Sequence, residues 1–389
     1  MPPAPNSNNK AKPSKRQNSN GEKHDHKAKY QKVKKSDKSA GRANSQSFKQ
    51  KGIPQSKDSS ANGAGDLRKE QPDFLVQAKK QWREAQKVSL TNDERRPFME
   101  KLMAAVDGHI VEIASVPEGS RILQTCLKYG KPEERESIVN ALKGKYVDMM
   151  KKTASKFLFT KMLRYCTRQR NQIIREIHGN VLKLIRHNIA SDMLEEVYVK
   201  YSNATQRALL AQELYGPEYA LFKSDSDPTV TLESIVENSP HKRETAFRNI
   251  LQNVTALADK GLLTHSIVHQ PIHEYLVLGT PTEIAQMVEA LQEHLVHLVH
   301  TREGSQAAML ILLHASAKAR KLILNALKPY AEKVCMDEYG YQVIIQLMDT
   351  VDDTVMLKKA LLSKLTGPVL ASLISHREAR RALVYPFAG

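Results

Sequence analysis

The stretch EGSRILQTCLKYG, residues 118–130, is the place from which the fold can be read. Its apolar residues Ile122, Leu123, Cys126 and Leu127 fall at i, i+1, i+4 and i+5, which gathers four side chains into one stripe along a helix. The pattern returns at Leu158, Phe159, Met162 and Leu163, and again at Met193, Leu194, Val197 and Tyr198. It continues at Thr231, Leu232, Ile235 and Val236, then at Ile267, Val268, Pro271 and Ile272. Ala307, Ala308, Ile311 and Leu312 follow, then Val343, Ile344, Leu347 and Met348, and last Ala382, Leu383, Pro386 and Phe387.

Anchoring each copy two residues before its first apolar position gives Ser120, Lys156, Ser191, Thr229, His265, Ser305, Tyr341 and Arg380, with steps of 36, 35, 38, 36, 40, 36 and 39 residues. A unit of that size cannot bury its own stripe, so neighbours must stack. The expected fold is all-α: a right-handed α-solenoid of about eight units, the last truncated at YPFAG, so that the chain looks shortened. Two helices over 72–107 precede the units, carried by Phe74, Leu75, Ala78 and Trp82 and then by Phe98, Leu102 and Val106. Arginines recur after five of the stripes, at Arg135, Arg170, Arg207, Arg243 and Arg320, where they are expected to hold the start of the next helix.

Working outward, residues 1–66 differ in kind. Lys, Ser, Asn, Gln and Gly dominate, and after Met1 only Tyr30, Val33, Phe48 and Ile53 are large and apolar. Such a segment cannot offset its ordering entropy, so the reading is a disordered basic tail before a helical array over 67–389. Residues 1–65 hold 15 Lys/Arg against 4 Asp/Glu, out of a net +17 for the whole chain. The cluster Lys27, Lys29, Lys32, Lys34 and Lys35 is the expected nuclear-targeting and polyanion-binding arm.

A second concentration lies inside the array. Residues 142–187 carry twelve Lys/Arg against Asp148 and Glu176, while the rest of the array is slightly acidic. A one-sided cluster of this kind favours phosphate binding over a merely solvated face. Cys126, Cys166 and Cys335 are far apart with no CxxC spacing, so neither a disulfide framework nor a zinc module is supported. No apolar run approaches the ~20 residues of a membrane span, and the N-terminus has no apolar signal core, so the expected chain is soluble and intracellular with no membrane partner. His265, His269 and His273 fall at i, i+4 and i+8, with His294, His297 and His300 beyond. No Cys or carboxylate completes a ligand set, and Pro271 should distort the helix, so the expectation is no metal and no cofactor. Nucleophile elbow, phosphate-binding glycine loop and HExxH are absent, so an enzyme is not expected.

Helical repeats of this length occur in several families, and the residues narrow the choice. Gly119-Ser120-Arg121-Ile122-Leu123-Gln124 closely resembles a PUF (Pumilio) recognition helix. AKKQWREAQ (78–86), RILQTCLKYG (121–130), QRALLAQELYG (206–216), HSIVH (265–269), VHLVHTREG (296–304) and VDDT (351–354) together resemble the nucleolar Puf-A (Penguin-type) class of PUF repeat proteins over roughly residues 70–389. The resemblance implies a monomeric nuclear, nucleolar protein binding RNA by charge and shape. Precursor ribosomal RNA, messenger RNA and DNA are the implied nucleic-acid partners, with pre-60S ribosomal proteins and assembly factors beside them. Large-subunit ribosome assembly and translational repression are the implied roles. In the first unit Ser120 and Gln124 would face a base edge and Arg121 would stack; in the second the set is Lys156, Phe157 and Thr160. Lys151, Lys152, Lys161, Arg164, Arg168, Lys183 and Arg186 would hold phosphates. Glu195, Glu233, Met309, Ile345 and Val384 at the later reading positions break a one-base-per-unit code. The competing reading is a protein-binding scaffold in pre-ribosomal particles.

Overall fold

The computed structural model describes residues 72–221 and 230–387. Among them helices are the only regular structure. The tail lysines Lys27, Lys29, Lys32, Lys34 and Lys35, and Thr229, lie outside the described residues.

Two helices, Asp73–Ala85 and Asn92–Val106, open the array; Thr91 accepts from the Glu94 amide while Glu94 accepts from the Thr91 amide, which fixes where the second begins. The clearest units then have three helices each. Unit one is Ile110–Ala114, Pro117–Tyr129 and Pro132–Ala141; unit two is Tyr146–Lys151, Lys156–Tyr165 and Arg170–Arg175. The middle helix carries the apolar stripe, and in units one, two and three all four stripe positions are buried. The middle helices of units one to three pack against one another in order, and so do those of units four to eight.

Two stripes depart from expectation. In unit four Thr231 is not a core residue: its hydroxyl accepts from the Ser234 amide and caps a middle helix of only Leu232–Asn238. In unit eight Pro386 and Phe387 are exposed, because the helix ends at Val384. Pro271 does not distort its helix (His269–Leu278), since it sits in the first turn, where the amide has no intrahelical acceptor to lose.

Side chains tie successive units together. Arg135 donates to the Lys128 carbonyl at the end of its own unit's middle helix and to Tyr165 O of the next. Arg320 likewise reaches Leu312 O, Leu313 O and, in unit seven, Thr350 O. Arg170, Arg207 and Arg243 reach carbonyls in the same way, so the recurrent arginines satisfy helix C-termini that would otherwise be orphaned. Carboxylates do the converse. Gly144, at φ 81°, turns its N–H toward Glu176 (2.8 Å), which also accepts from Tyr146 N; Gly179, at φ 79°, does the same with Glu213. All three cysteines are buried, and burial pushes Cys126 up to about 12 and Cys166 and Cys335 up to about 11.

Candidate nucleic-acid interface

The middle helix of unit two, Lys156–Tyr165, buries Leu158, Phe159, Met162 and Leu163 on one side. Phe157, Lys161 and Arg164, at i, i+4 and i+7, form the opposite stripe. Phe157 is 57% exposed, with the Lys156 ammonium 5.1 Å from its ring centroid. The Lys161 and Arg164 cations each lie 5.6 Å from the Tyr165 ring. Arg168, just past the helix, is exposed and lines a small cleft with Arg135, Tyr165 and Gln169. Lys151 ends the preceding helix, and Lys152 follows it in the turn leading into this one.

What separates these cations from those just ahead of them is the absence of acidic partners. Among the described residues Lys152, Lys156, Lys161, Arg164 and Arg168 form no ion pair, and Lys151 has only Asp148 at 3.9 Å. Ahead of them Arg96 is engaged by Glu134 and Glu100, Lys131 by Glu100 and Lys79 by Glu118. Lys183 and Arg186 are exposed around the first helix of unit three (Val181–Ile185), and the Arg186 guanidinium donates to Asn253 at 3.0 Å.

The two residues expected to read a base in unit one are placed differently. Ser120 is fully buried, and its hydroxyl accepts from the Gln124 amide at 3.3 Å, so only Arg121 and a half-exposed Gln124 face outward. The cause recurs. In six units the residue before the anchor is small and buried (Gly119, Ser155, Ala190, Gly304, Gly340, Ala379) because the middle helix starts hard against the preceding short helix. A Cβ on Gly119 would lie 2.4 Å from Ile113 O. The serine anchors that follow such a residue lie inward: Ser191 is buried, and Ser305 donates to Tyr339 O of the next unit. Thr160 is half-buried, its hydroxyl 3.4 Å from Glu196.

Glu195, at the reading position of unit three, does something sequence reasoning missed. Its carboxylate accepts from Ser266 N (2.9 Å) and Ser266 Oγ (2.5 Å), 71 residues away at the opening of the unit five helix. Units three and five therefore touch directly. His269, the matching position of unit five, is fully buried; its Nε2–H donates to Leu263 O (2.8 Å), and Nδ1 accepts from the Thr301 hydroxyl (2.6 Å). Burial first, and the neighbouring His300 second, push it down to about 3. Among the described residues no three His, Cys, Asp or Glu side chains converge as metal ligands, and no helix is long and apolar enough to cross a membrane.

Stacked three-helix units with one exposed cationic stripe define a repeat array of the Pumilio kind. The Pumilio-family RNA binding repeat matches residues 109–143 and 161–178. The chain is 31% identical to human Pumilio homolog 3 over 315 residues, 80% of this chain and 48% of that protein. Against Pumilio homology domain family member 6 of Saccharomyces cerevisiae the identity is 36% over 273 residues, 70% of this chain and 41% of that protein. The crystal structure of human Puf-A in complex with DNA superposes with a TM-score of 0.76 at 30% identity, covering 81% of this chain and 62% of that one. The chain thus belongs to the Pumilio-repeat (PUF) family. Within it the similarity is to the Puf-A/Pumilio homolog 3 proteins, and the chain spans about half the length of the curated relatives it matches.

Proposed function

We propose that the chain binds RNA through phosphate and shape, with little base selectivity, and acts in nucleolar assembly of the large ribosomal subunit at the level of precursor ribosomal RNA. The observation that carries this reading is the concentration of cations without acidic partners around the unit two middle helix, beside the solvent-facing Phe157 ring. A cation already held by a carboxylate gains little from a phosphate; an unpaired one releases a counterion for each phosphate it meets. Phe157 adds a stacking surface that accepts any base. Human Puf-A was crystallised with DNA, which fits backbone recognition that does not depend on the ribose hydroxyl.

The test is a salt titration of RNA affinity for the parent and for a protein with Lys151, Lys152, Lys161, Arg164 and Arg168 all changed to Gln. Each phosphate that is no longer neutralised should shallow the log–log slope by about 0.7 to 0.9. An unchanged slope would remove the patch from the interface and leave the scaffold reading. The tail, with Lys27, Lys29, Lys32, Lys34 and Lys35, is proposed to add affinity without selectivity and to drive nuclear accumulation. Deleting residues 1–66 should weaken binding uniformly across sequences and make a tagged protein more cytoplasmic.

A further inference from the structure

We infer that the cleft between the middle helices of units seven and eight is a docking site for an acidic peptide segment carrying a large apolar side chain. The two helices, Gly340–Thr350 and Arg377–Val384, enclose an open cleft of about 610 Å³. Its floor is aliphatic: Ile345 is half-buried and Val384 is 58% exposed. Tyr341 and Tyr385 form the walls and are already oriented. The Tyr341 hydroxyl accepts from Arg381 at 3.0 Å, and the Tyr385 hydroxyl donates to Asp349 at 2.6 Å. Arg377 and Arg380 complete the rim, both exposed.

The charge is local. Residues 230–387 hold sixteen Lys/Arg and sixteen Asp/Glu, yet three of those arginines fall within 377–381. Arg380 has no ion-pair partner among the described residues, and Arg377 has only Glu378 at 3.8 Å. Planar guanidiniums suit carboxylates, which they bind through paired hydrogen bonds. They suit phosphates as well, so the floor decides between occupants. A base read edge-on at Ile345 and Val384 would find no hydrogen-bond partner in either side chain. A Phe or Leu side chain would lose nothing there and would remove exposed apolar surface from water.

The experiment is fluorescence anisotropy on the full chain with a labelled acetyl-Asp-Glu-Phe-Leu-Asp-Glu amide. The same peptide with Lys at every acidic position serves as control, and unlabelled oligouridylate as competitor. Saturable binding of the acidic peptide alone is expected, reduced about tenfold or more in Arg377→Ala/Arg380→Ala, as removal of at least one charge-assisted hydrogen bond requires. A second variant, Val384→Asp, should abolish binding from the floor side. All three positions are exposed, so the helical circular dichroism should be unchanged, and RNA affinity should stay at the parental level in both variants. Absence of saturable binding, retention of affinity in the double arginine variant, or displacement of the peptide by oligouridylate would each overturn the proposal; the last would reassign the cleft to nucleic acid.

Discussion

The middle helix of unit two turns Phe157, Lys161 and Arg164 to the outside, where no acidic side chain pairs with the two cations. The corresponding positions of unit five are Ser266, Gln270 and His273, and each is already occupied. Ser266 is held by Glu195, Gln270 donates to Glu274 at 2.8 Å, and His273 is half-buried, which lowers its pKa. Both helices obey one apolar register. What differs is the use of the opposite face, open in the first case and taken up by hydrogen bonds and packing in the second. A repeat therefore constrains which way a helix looks and leaves open what it shows.

The largest expected effect breaks the comparison at its charged end. Changing Lys151, Lys152, Lys161, Arg164 and Arg168 to Gln should lower RNA affinity on the order of 100-fold at moderate salt. Changing Arg302, Lys318, Lys321, Lys333 and Lys364, an equal number of exposed cations from units six and seven, should alter it by less than about threefold. Equal losses from both sets would mean that bulk charge rather than the unit two surface carries binding.

Next comes the buried end. A free imidazole titrates near 6.5, whereas His269 in the fold is pushed down to about 3. Between those values the unfolded chain holds a proton that the folded one refuses. Stability is therefore complete above pH 6.5 and falls as the pH drops through the window, by about 2 kcal/mol at pH 5 from this residue alone. Urea unfolding midpoints at pH 7 and pH 5 should move apart in the parent and by less in His269→Asn. Equal shifts in the two proteins would assign the acid sensitivity to other groups.

A smaller change is expected at the joint between the halves. Glu195→Ala leaves the Ser266 amide and hydroxyl without their acceptor and should cost about 1–2 kcal/mol in thermal unfolding, with RNA affinity held within about twofold. A large drop in affinity would place Glu195 in the interface after all. The smallest effect belongs to Gln124. With Ser120 buried, Gln124→Ala should leave the profile from a randomised RNA pool nearly unchanged. A parental preference over five or more consecutive bases, absent from the variant, would restore a base code.

The stripes could be read from sequence because burial is periodic, and Ile122, Leu158 and Ala307 declare it locally. The recurrent arginines were legible for the same reason, since every helix end needs its carbonyls satisfied. The burial of Ser120 was not legible because residue type does not reveal direction: a serine at an anchor suits a base edge or a buried helix contact equally well. The small residues one position earlier, Gly119, Ser155, Ala190, Gly304, Gly340 and Ala379, mark close approach of the helix, and where a serine follows (Ser120, Ser191, Ser305) it is buried. Glu195 left no local trace, because its partner is two units away.

That long reach bears on how the array comes apart. In a linear repeat each unit feels only its immediate neighbours, and a weak unit uncouples whatever lies on either side. Unit four, with its seven-residue middle helix, would be such a weak link. The Glu195–Ser266 pairing gives the chain a second-neighbour bond across it, so fraying of unit four need not propagate, and units three and five should melt in one transition.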